Sequence, residues 1–159
     1  MKHISLLLLT CLAITTSGPA SAKGVAPRVR VTPGESLGPI HLGMARAQIA
    51  ALGLPTGPNY PTEPPTMTSV GLYHVDYDAE GKVRSASIEL RKAARGLVVG
   101  KKTISRDATI TEAAAAFSGC EQSSATGGGT ICEHGSISLG DGDGGKDAIV
   151  IVEVSRTKQ

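Results

Sequence analysis

Gly38-Pro39-Ile40-His41-Leu42-Gly43-Met44, with Ala45 to Leu52 behind it, is the stretch from which the fold is read. Ile40 and Leu42 mark a short extended piece, and Gly43 can take the positive φ that a sharp entry into a helix requires. In the segment that follows, Met44, Ile49 and Leu52 fall on one helical side while Arg46 and Gln48 fall on the other. Gly53 supplies a stop and Pro55 forbids continuation. The stretch organises a fold and carries no catalytic spacing.

Upstream, the chain opens on Met1-Lys2-His3, an apolar run from Ile4 to Ile14, and small residues ending Ala20-Ser21-Ala22. That is the layout of a secretory signal over residues 1–22, and the run is too short to span a membrane as a stable helix. Leu8-Leu9-Thr10-Cys11 weakly resembles a lipoprotein cleavage box, but Thr10 and so early a cut favour the simple signal. Export to the periplasm or beyond is therefore expected. Residues 23–159 have the length of one domain or of two small fused ones. The chain holds 16 basic residues, Lys2 among them, against 14 acidic ones, a balance that argues against nucleic acid as a partner. With three tyrosines, one phenylalanine and no tryptophan, the core must rest on Ile, Leu, Val and Ala. Cys120 and Cys132 are the cysteines beyond the signal, and in an exported chain they read as one disulfide. Closing that loop contributes roughly 3 kcal/mol.

Downstream, Arg28 to Thr32 alternates charge with valine and predicts a first strand. Residues 55–69 are rich in proline and predict an extended surface loop. Leu72 to Tyr77 and Val83 to Leu90 predict a hairpin in which Tyr73 faces Ile88 and Val75 faces Ala86, with His74, Asp76, Ser85 and Ser87 on the opposite side. Ile110 to Phe117 predicts an alanine-rich helix capped by Asp107 or Thr109. Ile137 to Leu139 and Ala148 to Val154 predict a closing hairpin. Ala148 to Val152 is apolar throughout, so that strand is expected at the sheet centre with both faces covered.

A shift of 64 residues, from Lys82 to Lys146, brings Ile40 onto Ile104 and Ala45–Leu52 onto Thr109–Ala116. It also brings Ile88-Glu89-Leu90 onto Val152-Glu153-Val154, the pattern of a twofold repeat. The segment GPIHLGMARAQIAALGLP, followed by an apolar strand and a Gly-Lys-Val turn, resembles the SmpA/OmlA outer-membrane-assembly lipoproteins. Its tandem arrangement is similar to the beta-lactamase inhibitory protein, which also carries a disulfide in its repeats. The resemblance covers residues 38–90, and residues 97–154 more loosely. It implies a small exported module that binds proteins, and transfers no functional residue.

Gly140-Asp141-Gly142-Asp143-Gly144-Gly145-Lys146 has the spacing of a phosphate loop, but Asp147 stands where Ser or Thr belongs and a strand follows, so it reads as a hairpin loop. Asp141, Asp143 and Asp147 make a weak calcium candidate without the closing glutamate of an EF-hand. His41, His74 and His134 show no ligand spacing, so no metal, cofactor or catalytic residue is expected. Arg91, Lys92, Arg95, Lys101, Lys102 and Arg106 form a basic run without an acid, suited to an acidic protein face or to peripheral contact with an anionic envelope surface.

The sequence thus predicts an α+β fold: two tandem helix-plus-antiparallel-hairpin units, residues 23–95 and 96–159, with the helices packed on one sheet face. It predicts a non-catalytic envelope module that binds a protein through its open sheet face, with Arg91, Lys92, Arg95, Lys101, Lys102, His74 and Asp76 as contacts. The alternatives are an envelope hydrolase whose histidines are gathered by the fold, and a structural role in outer-membrane maintenance.

Overall fold

Alternation of apolar and polar side chains, the pattern of a strand with one face buried, runs through most of the chain, and the structure follows that period. The computed structural model describes residues 28–59, 67–123, 129–141 and 150–156. The expected signal 1–22, Cys11 included, lies outside them. β1 (Val29–Thr32), β2 (Ser36–Leu37) and β3 (Ile40–His41) lead into α1 (Arg46–Ala50). Then come β4 (Thr56–Asn59), β5 (Met67–Val70), β6 (Tyr73–Tyr77) and β7 (Val83–Glu89). A 3-10 turn at Leu90–Lys92 precedes β8 (Leu97–Val99), β9 (Lys102–Ile104) and α2 (Ile110–Ala114). The described elements end with β10 (Glu121–Ser123), β11 (Gly129–Cys132), β12 (Ile137–Asp141) and β13 (Val150–Ser155).

These strands form two sheets. The smaller has the order β3-β2-β1-β8-β9, and the larger β10-β11-β12-β13-β7-β6-β5-β4. All pairings are antiparallel except β1 with β8, where Val29, Arg30 and Val31 run beside Leu97, Val98 and Val99. The expectation of an α+β fold built from two helix-plus-hairpin units is therefore overturned. The protein is mostly β, and its two described α-helices have five residues each. Helix signals in the sequence were local and short: Gly53 (φ 65) and Gly119 (φ 56) leave helical space soon after each helix, and each helix needs only one fully buried side chain, Ile49 or Ala113. Strands of two to four residues, such as β2, β8 and β9, are too brief to show a period of their own. They become strands through pairing.

Two further corrections follow. The expected loop 55–69 is strand at both ends, Thr56–Asn59 and Met67–Ser69, and the residues between lie outside the described ones. Pro58, which lacks a backbone donor, is tolerated because β4 is the edge of the large sheet and its register shifts between Thr56 and Asn59. β13 does sit at the sheet centre, between β12 and β7, but only one of its faces is buried. Val150, Val152 and Val154 are inside while Ile151, Glu153 and Ser155 are half-exposed.

The β6–β7 register is the expected one, with Tyr73 beside Ile88 and Val75 beside Ala86. Leu37, Val31, Leu97 and Ile104 of the small sheet join Ile88, Leu139, Val152 and Val154 of the large one in a single apolar cluster. The small sheet thus covers one face of the large sheet, and Ile49 and Ala113 bring both helices to the same side. Tyr73 reaches across the layers so closely that a side chain at Gly38 would strike its hydroxyl. The boundary at 95/96 falls in the turn before β8, and residues on both sides of it share this core. Cys120 and Cys132 form a disulfide that ties the end of the α2 segment to β11.

Candidate functional site

Because side chains alternate across a strand, the face of the large sheet away from the small one is set by the register. One row crosses seven strands: Ser69, His74, Ser87, Glu153, Ser138, Ile131 and Glu121. Beside it run Met67, Asp76, Ser85 and Ser155. On the other side lie Glu89, Ile151 and Gly140. The centre of this open face is therefore mainly polar, with Glu153 between Ser87 and Ser138 and Ile151 beside it, and it is not basic.

Several charges are already engaged. Arg84 donates to Asp76 Oδ2, through Nε at 3.0 Å and through a second guanidinium nitrogen. The other oxygen, Asp76 Oδ1, is buried without a hydrogen-bond partner among the described residues. Lys92 Nζ lies 2.5 Å from Glu89 Oε1. A shallow groove of about 740 Å³ is lined by Asp76, Arg84, Ser85, His134, Gly135, Glu153, Ser155 and Arg156. A second, of about 490 Å³, has Glu121, Gln122, Ser123, Ile131 and again His134 on its walls.

The arrangement nearest to catalysis is Ser69, His74 and Glu89. Ser69 Oγ lies 3.4 Å from His74 Nδ1, and Glu89 Oε1 is 4.0 Å from His74 Nε2. Both distances are long for a working relay, and the same Glu89 oxygen is held by Lys92. The residues sit on a sheet face, and His74 is not on the wall of the larger groove. No group of three or more potential metal ligands occurs among the described residues. Asp141 is exposed at the end of β12, while Asp143 and Asp147 lie outside the described residues.

The sequence-predicted contacts divide between two surfaces. His74, Asp76 and Lys92 belong to the open face, where Lys92 pairs with Glu89. Arg95, Lys101 and Lys102 belong to the small sheet and its turns, across the core, and Lys102 Nζ donates to the Ala115 carbonyl near the end of α2 at 2.9 Å. Arg91 is exposed in the turn after β7. Pairing of β1 with β8 adds exposed Arg28 and Arg30 to that basic side, a convergence that residues so distant in sequence do not announce. The second half of the open face, Ser138, Glu153 and Ser155, was also missed. Its signal was the alternation in Ile137–Asp141 and Val150–Ser155.

Comparison with protein-family models, with characterised proteins and with solved structures yields no significant match to this chain.

Proposed function

We propose that this chain is an exported, non-catalytic module of the bacterial cell envelope that binds a protein partner through the open face of its large sheet. The observation that carries the reading is the row Ser87, Glu153 and Ser138 at the sheet centre. Serines flanking Glu153 let a partner approach the sheet closely, while Ala86, Ile88, Ile137, Leu139, Val150, Val152 and Val154 of the same strands stay buried on the other side. His74, Asp76, Arg84 and Lys92 surround this centre and supply polar contacts of the kind that form an interface rim. The basic side, with Arg28, Arg30, Arg95 and Lys101, is suited to peripheral contact with an anionic envelope surface.

Photo-crosslinkers placed at Ser87, Ser138 and Thr103 test the docking. Ser87 and Ser138 should capture one and the same envelope protein, competed by unlabelled module, and Thr103 on the small sheet should not. Equal capture from all three positions removes the assignment. Export is tested at the mature N-terminus, where mass spectrometry should find the chain beginning at Lys23. The 64-residue correspondence is read as a tandem duplication, a reading that fails if the halves of related chains align no better than shuffled sequences.

A hydrolase reading has one observation in its favour, the Ser69–His74–Glu89 proximity. Ester hydrolysis that survives in the wild type and disappears in Ser69→Ala would establish it against the binding module.

A further inference from the structure

The strands of the small sheet carry Arg30 and Lys102 but no acid. Alternation along each strand fixes which way its side chains point. Val29, Val31, Leu97, Val99 and Ile104 are buried, so Arg30, Val98 and Thr103, side by side across β1, β8 and β9, form the outer row. On the other side of Arg30 lies only Gly38, whose N–H donates to the Arg30 carbonyl at 2.7 Å. Arg28 and Arg95 stand at one end of this face, ahead of Val29 and Leu97. Lys101 stands at the other, in the turn from Val99 to Lys102.

These cations differ from those around β6 and β7, where Lys82, Arg84 and Lys92 are each held by a carboxylate, of Glu80, Asp76 and Glu89. Arg28, Arg30, Arg95 and Lys101 are exposed, and their side chains make no hydrogen bond or ion pair with the described residues. Acids in the adjoining turns are directed elsewhere. Asp107 lies 3.7 Å from Arg106, and Glu112 accepts from the Thr109 N–H. Glu35 lies toward the β3 edge, where its carbonyl accepts from Leu42 N–H. The four free cations are spread along the sheet and converge on no point, which fits an array of anions better than a single ion. The outer row has one apolar side chain, Val98, and no aromatic ring, so it lacks the anchors on which protein interfaces depend.

We infer that the outer face of the small sheet docks on anionic phospholipid headgroups, with Arg28, Arg30, Arg95 and Lys101 against the phosphates of a bilayer and the open face of the large sheet turned away from it. This rests on the reading of an exported envelope module and names the partner of its basic side. A row with so few bulky side chains lets the arginines reach the headgroup plane together, and each cation there contributes about fivefold in partitioning. Binding is then weak, reversible and salt-sensitive.

The test is cosedimentation of the chain from Lys23 to Gln159 with vesicles of phosphatidylcholine, alone or mixed one-to-one with phosphatidylglycerol. Mixed vesicles should bind the protein at low salt and release it at about 0.5 M salt, and plain phosphatidylcholine should bind far less. Arg28→Gln, Arg30→Gln and Arg95→Gln combined should lower partitioning by about a hundredfold, while lysine at the same three positions should retain it. Lys82→Gln, which removes a cation paired with Glu80, should leave it nearly unchanged. Equal losses from Lys82→Gln and Arg30→Gln would make the effect one of net charge and overturn the inference. Equal binding to plain phosphatidylcholine also overturns it, as does no binding to mixed vesicles at low salt, which would leave the basic side to an acidic protein. With a fluorophore at Thr103 or at Ser138, a spin-labelled headgroup should quench the first and spare the second; equal quenching overturns the orientation. If the glutamine variant melts early, the lysine variant and the quenching still decide. The vesicles hold no partner protein, so failure here leaves the open-face docking intact, and failure of that docking leaves the vesicle result intact.

Discussion

The two halves of the large sheet are built to one strand order and fastened by different chemistry. In the first, α1 is followed by β4 to β7; in the second, α2 is followed by β10 to β13; and β7 and β13 join them edge to edge. The first half is held by large buried rings, Tyr73 and Tyr77 on β6, with Arg46 stacked 3.9 Å from the Tyr77 ring centre. The matching strand β12 has Ile137 and Asp141 at its ends, and its half carries the disulfide and a turn with Glu133 (φ 51) and His134 (φ 54) in left-handed backbone instead. The helix starts differ in the same way. Thr109 and Glu112 form a reciprocal cap at α2, whereas Ala45 has no side-chain acceptor and only Gln48 reaches back, to the Ala45 N–H, at 2.8 Å. One sheet can thus be stabilised by the buried rings of Tyr73 and Tyr77 on one side and by covalent closure beside the single buried ring of Phe117 on the other.

Removing the covalent fastener should have the largest effect. Cys120→Ser is expected to cost roughly 3 kcal/mol in chemical denaturation, with hydrogen exchange rising first in β10 and β11. Loss of protection spread evenly over both halves would erase the contrast drawn here.

Next is the close approach between Gly38 and Tyr73 in the first half. Gly38→Ala places a Cβ against the Tyr73 hydroxyl on a left-handed backbone, and should cost about 1–3 kcal/mol. The double variant with Tyr73→Phe should recover part of that loss if the clash is the cause; the remainder reports the backbone.

The caps sharpen the comparison at a smaller scale. Thr109→Ala should destabilise by about 1 kcal/mol, and Ala45→Thr should stabilise by up to about the same amount. Equal responses of the two helices to removal or addition of the hydroxyl would mean that packing, and not capping, decides both starts.

Smallest, and confined to alkaline solution, is the tyrosine effect. Burial raises the phenol pKa of Tyr73, and also that of Tyr77, where the Arg46 charge partly opposes it. Because the unfolded phenols ionise at about 10, this contribution is complete below that pH and is lost as pH rises through the higher folded values. Phenolate absorbance should therefore lag behind that of free tyrosine, and protection should fall first in β5 to β7.

Much of this molecule was legible in short windows of sequence. The β6–β7 register followed from parity alone, because a one-residue slip would have turned Tyr73, Val75, Ala86 and Ile88 outward. The disulfide followed from two cysteines beyond a segment that reads as an export signal, and the turns at Gly43 and Gly53 from their place beside apolar runs. These are local matters of alternation, turn chemistry and covalent possibility. Tertiary structure alone decided that the helices would be five residues long, that β1 would run parallel to β8, and that Arg95, Lys101 and Lys102 would part from His74 and Asp76 while Lys92 stayed beside them. It alone placed His134 on left-handed backbone between two grooves. Each of these depends on contacts between residues far apart in the chain, whose energy exceeds local propensity and leaves no period in the sequence from which to read it.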